Sequence, residues 1–152
     1  MLQAAQNGGI INTGDAGLKK LGFGNVHVPI ASAKLRRIKE AFEKSGGEML
    51  SSPELDEYLD MREADALTLN EKLVIFRHAR PPTASEVFEE LIHTAQFRSG
   101  RVSTGNAAML EIEAKEKLIK NQVAYGIPEH ENEQTKAQLE KLRHMMFWDR
   151  RE

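Results

Sequence analysis

At 152 residues and 17.1 kDa the chain is long enough for one domain with its own core and leaves little for a second. With 21 basic against 23 acidic side chains and a formal charge of -2, it carries no polyelectrolyte signature, so contact with nucleic acid would need a local basic patch. The absence of cysteine excludes disulfides, thiolate metal sites and a thiol nucleophile, which leaves His, Asp and Glu as metal ligands.

No stretch approaches about 18 consecutive apolar residues, and the first residues form neither a basic leader nor an apolar signal core, so a soluble chain with no membrane partner is expected. Residues 1–30 hold six of the eleven glycines and only three charged side chains, the composition of an arm or linker. Short strands are conceivable there at "GII" and "NVHV". Residues 31–146 then read as a single domain and 147–152 as a tail.

Leu35, Ile38 and Phe42 recur at helical spacing and predict a helix over 32–44, stopped by "SGG". "SSPEL" starts another, with Ser52 as cap and Pro53 at the first helical position, running to about Asp60. "KLVIFRHA", residues 72–79, is the best strand, and "RPP" ends it. Thr83 and Glu86 form a TxxE capping box that opens a helix reaching about Phe97. After the loop "RSGRVSTGN", a long helix runs from residue 107 to Tyr125 and is closed by Gly126. The last helix starts near Pro128, carries Thr135, Leu139, Leu142 and Met146 at helical spacing, and ends in "HMMFWD", an apolar docking surface. The fold class expected is α+β, mostly helical, with a short sheet.

The helix after the strand holds the concentrated chemistry. Glu86, Glu89, His93 and Gln96 share one stripe, while Val87, Leu91 and Ala95 lie towards the other side as the principal core contact. In a helical HExxH zinc site, two histidines one turn apart bind the ion and the intervening glutamate deprotonates its water. "EELIH" places Glu89 at the first histidine, Glu90 at the base and His93 at the second histidine. A carboxylate at the first position is harder than imidazole and adds negative charge, which widens the choice of ion from zinc to manganese or magnesium. A third ligand must come from "LEIEAKEK", where Glu111, Glu113 and Glu116 are candidates. With the apolar face centred on Ile112, Ile119 and Val123, Glu113 is favoured.

A strand ending in an arginine, then "RPPTASEVFEELIHTAQFRSG", then "LEIEAKEKLIKNQVAYGIPEHENEQTKAQLEKL", resembles the zincin-like metallopeptidase domains at the C-termini of bacterial polymorphic toxins. The resemblance covers residues 72–142. It implies His93 as a ligand, Glu90 as the general base, Glu111 or Glu113 as the third ligand, and a zinc or manganese ion. It also implies a peptide or protein substrate, a cognate immunity protein as partner, and delivery into a target cell within a larger exported protein.

Other readings of the same residues stand beside this one. Glu86 is already used as a cap partner. Glu89 and Glu90 suit the positive end of a helix, and His93 can hydrogen-bond Glu89 in a purely structural network. The arginines of "RHAR", Arg77 and Arg80, together with Arg98 and Arg101, would bind phosphate if they gathered around His93, which is the arrangement of a small nuclease toxin. A catalytically inert zincin-like domain that binds a protein through Met145, Met146, Phe147 and Trp148 is the third alternative. Glu90 and His93 also form an ExxH of the di-iron type, but the chain holds no second copy. His27, His130 and His144 stand apart from any ligand pattern.

Overall fold

The branched and aromatic run Leu73–Phe76 forms β3, the central strand of a three-stranded mixed sheet in the computed structural model, which describes residues 27–151 and side chains through Met146. Residues 1–26 of the N-terminal arm, with the strands expected at "GII" and the start of "NVHV", lie outside the described residues, as do the side chains of Phe147 and Trp148. In chain order the elements are α1 (Ser32–Lys44), β1 (Glu48–Leu50), α2 (Pro53–Met61), β2 (Ala66–Asn70), β3 (Leu73–Phe76), α3 (Ala84–Arg98), α4 (Ala107–Lys120), α5 (Gln122–Tyr125) and α6 (Glu129–Arg151). This is a mostly helical α+β domain with a short sheet, as expected, and it is compatible with a zincin-like fold.

β1 pairs parallel to β3, and β2 pairs antiparallel to it through a tight hairpin in which the Asn70 side chain accepts from the Lys72 amide. Alternation along β3 separates two cores. Val74 and Phe76 face the main core with Phe42, Met49, Val87, Ile92, Ala114, Leu118 and Ile127. Ile75 faces the other way and joins Leu59 of α2 and Leu67 of β2 in a smaller cluster.

The strand expected over 72–79 is shorter than that, because residues beyond Phe76 turn away to meet acidic partners. Arg77 reaches Asp60, Asp65 and the Ala64 carbonyl, and the amides of His78 and Ala79 donate to the Asp56 carboxylate. Both anticipated caps form. The Ser52 hydroxyl accepts from the Leu55 amide, and Thr83 and Glu86 exchange both bonds of the capping box.

Two expected faces are corrected. The principal contact of α3 is not the single apolar side of Val87, Leu91 and Ala95. The helix is covered on both sides, by the sheet and by α4, so Glu90, His93, Thr94 and Gln96 are buried along with Val87 and Ile92. The long helix expected to Tyr125 breaks at Asn121, and the buried face of α4 is Ala107, Leu110, Glu111, Ala114, Lys115 and Leu118. Val123, an expected centre of that face, is 93% exposed. Among the described residues no helix is long and apolar enough to cross a membrane.

Candidate metal centre

The capping box at Thr83 fixes where α3 starts, and so fixes the phase that turns Glu89, His93 and Gln96 towards α4. Opposite them α4 presents Glu111 and Lys115, one turn apart on its buried face. The result is a cluster of Glu89, His93 and Glu111 whose ligand atoms all lie within 4.8 Å of one another.

The orientation of His93 follows from its neighbour. The Gln96 amide nitrogen donates to the Leu110 carbonyl at 3.0 Å and to Glu113 Oε1 at 2.9 Å, both of which can only accept. Its oxygen is therefore the atom 2.8 Å from His93 Nδ1, and Nδ1 must carry a hydrogen. This leaves Nε2 facing Glu89 Oε2 at 3.7 Å and Glu111 Oε2 at 3.6 Å. Both separations exceed the range of a good hydrogen bond. They lie at and just beyond the edge of a coordination shell, since ligands at about 2.0–2.2 Å from a tetrahedral ion stand about 3.3–3.6 Å apart.

Glu113, the favoured third ligand, is turned elsewhere. It accepts from Arg101 at 2.6 Å and from Gln96, and so reaches His93 only through the amide. Glu111 takes the place beside the imidazole because the buried face of α4 runs through Leu110, Ala114 and Leu118, on nearly the opposite side of the helix from the face expected. Glu116 is on the outside, paired with Arg143. Glu90 is held on the sheet side, where the Thr68 hydroxyl lies 2.7 Å from its Oε1 and 3.0 Å from its carbonyl. Glu86 serves the cap.

Lys115 is the residue that the sequence reading missed. Its Nζ lies 2.9 and 3.2 Å from the two oxygens of Glu89 and 3.7 Å from Glu111 Oε1. The available signal was its spacing of four from Glu111 and its place beside Ala114, but a lysine so placed is usually assigned to solvent.

The charges couple strongly. Burial raises the Glu90 carboxyl, to about 7, against the pull of His93 and the Thr68 hydrogen bond. Burial is the largest influence on Glu89 and opposes its charge, yet the ammonium of Lys115 together with His93 and Glu111 outweighs it and holds Glu89 well below the usual carboxylate range. Desolvation works against a charged His93, but Glu111 and Glu89 override it and hold the imidazole pKa well above its ordinary value. Burial and the nearby Glu89 push Glu111 up. The cluster thus attracts positive charge, as protons or as a cation.

Three of the four arginines considered for phosphate have acidic partners. Arg77 pairs with Asp60 and Asp65, Arg80 with Asp65 and Glu86, and Arg101 with Glu113, while Arg98 is exposed. His27 meets the Pro81 carbonyl, His130 lies 3.8 Å from Glu131, and His144 is exposed on α6. A groove of 530 Å³ between α4 and α6, lined by Glu116, Ile119, Leu139 and Arg143 among others, does not border the cluster. Compared with protein-family models, curated proteins and solved structures, the chain matches none of them.

Proposed function

We propose that Glu89, His93 and Glu111 hold a divalent cation and that the domain is a metal-dependent, peptidase-like hydrolase acting as a bacterial toxin or effector. The observation that carries the metal reading is the His93 ring. Its Nδ1 hydrogen is committed to Gln96, and its Nε2 sits at shell-edge distance from two carboxylates. The hydrolase and toxin assignments are supported by the likeness of the "EELIH" helix and the acidic helix after it to zincin-like toxin domains.

A zinc or manganese ion in this position would polarise a substrate carbonyl and acidify a water. Glu90 would serve as the general base and acid, taking the proton of an attacking water as the C–O bond forms and returning it to the amine as the C–N bond breaks. A carboxyl raised to about 7 by burial is suited to both halves of this exchange near neutral pH. The Thr68 hydroxyl fixes Oε1 of Glu90 on the sheet side of α3. The substrate class is a peptide or protein amide, and an immunity protein is the expected partner in the producing cell.

Protein purified without chelator is expected to carry, or to take up on titration, one zinc or manganese ion per chain. His93→Ala and Glu89→Ala should lose it. Glu90→Gln should keep the ion and lose cleavage of an unstructured protein mixture. Absence of any bound ion in the wild type overturns the reading.

One observation favours a second reading, that of an inert zincin-like protein-binding domain. The Lys115 ammonium already supplies positive charge to Glu89 and Glu111. In that case the wild type takes up neither ion and the cluster serves stability alone.

A further inference from the structure

We propose that Lys115 determines which ion the site takes, by giving Glu89 the net charge of the neutral histidine whose place it occupies. The inference rests on the metal reading above and concerns how the departure from HExxH is tolerated.

Two histidines and one glutamate present a metal with one negative charge. Glu89, His93 and Glu111 present two, and that excess favours hard ions such as manganese or magnesium and weakens the ion as a Lewis acid. Lys115 removes the excess at its source. Its ammonium contacts both oxygens of Glu89, at 2.9 and 3.2 Å, and approaches Glu111 only to 3.7 Å. The asymmetry identifies Glu89 as the carboxylate being neutralised.

Nor can the lysine swing out to water. Lys115 is 3% exposed, on the buried face of α4 between Glu111 and Leu118, and the capped α3 lies across from it. Its charge is a fixed part of the site, within a single bond of a ligand. A cation at Nζ repels an incoming ion and also draws electron density from Glu89, so the pair donates less than a free carboxylate. The pair Glu89–Lys115 therefore stands in for an imidazole in charge and in donor strength, and the site keeps a preference for zinc.

The test is a charge cycle on the full chain, read by zinc and manganese affinity in competition with a chromophoric chelator. Lys115→Met should bind both ions at least about tenfold more tightly and should gain more for manganese than for zinc. Glu89→His, which leaves the lysine only its longer pair with Glu111, should bind at least about tenfold more weakly than wild type. The double variant Glu89→His with Lys115→Met should return to the wild-type affinity and zinc preference. Because Lys115→Met strands a buried carboxylate and can lose the fold, denaturation in chelator is measured alongside. The double variant, which strands nothing, is expected to be more stable than either single one.

If the wild type binds zinc while Lys115→Met binds it with unchanged affinity and selectivity, the proposal fails and the metal reading stands. A double variant no tighter than Glu89→His also defeats the proposal, even where Lys115→Met does not fold. If neither wild type nor any variant binds an ion, the metal reading and this proposal fail together.

Discussion

Gln96 bonds three different elements of the site at once: the His93 ring, the Leu110 carbonyl and the Glu113 carboxylate. Because two of its partners only accept, the amide has a single orientation, and that orientation decides which ring nitrogen of His93 is free. Gln96→Leu is expected to lower zinc affinity by about 10–100-fold, the usual cost of losing a partner that orients a metal-binding histidine, with Glu89 and Glu111 untouched. Zinc titration of the variant checks this, and an affinity equal to wild type would show that Gln96 does not position the ring. Glu113 supports the same amide from behind. The Arg101 side chain, assisted by Gln96, depresses its pKa to about 2. A carboxyl depressed in the folded state contributes stability above its unfolded pKa and loses it as the pH falls through the folded value. With Arg101 half exposed, the contribution is discounted to about 1–2 kcal/mol. Glu113→Gln should therefore be less stable by that amount at pH 6 and indistinguishable from wild type near pH 2, as read by denaturant titration at the two values.

At the scale of elements, legibility in the sequence followed the range of the forces involved. The caps at Ser52 and Thr83 depend on side chains within three residues, and both were readable with their bonding partners. β1 and β2 were not, because "EML" and "ALTLN" lack a branched run and become strands only by pairing with β3, far from β1 in sequence. The phase of α4 was misread for a related reason. Its buried face includes Glu111 and Lys115, whose burial is repaid by charges on another helix, while Met109 and Val123 are left outside. Hydrophobic periodicity has no access to pairing between helices, so Glu111 could not be separated from Glu113. Gly47 shows the opposite case, in which a small residue is demanded by packing. A Cβ there would meet the Phe42 ring at 2.5 Å, where α1 turns into β1. Gly47→Ala should displace that ring from the core and cost about 1–3 kcal/mol. Thermal denaturation checks this.

For the molecule as a whole, the cluster joins α3 to α4, and α3 in turn lies on the sheet. Glu89, His93 and Gln96 come from one helix, Glu111 and Lys115 from the other, and Glu90 is tied back to Thr68 of β2. An ion held by Glu89, His93 and Glu111 would cross-link the two helices at their buried interface. Such an ion binds the folded state alone, since the unfolded chain does not bring residues 89, 93 and 111 together. At a free concentration of a hundred times the dissociation constant the folded state then gains about 2.7 kcal/mol, which for a chain of this size raises the melting temperature by roughly 5–11 °C. Zinc added to chelator-treated protein should produce that rise, and excess chelator should reverse it. His93→Ala should show no rise at any zinc concentration. Glu90→Gln should show the full rise while lacking hydrolysis, because Glu90 is assigned to proton transfer and not to the shell. A shift in His93→Ala equal to that of wild type would place the ion elsewhere. A wild-type melting temperature indifferent to both zinc and manganese would leave Lys115 as the cation that the two carboxylates share, and the cluster as a device for joining helices.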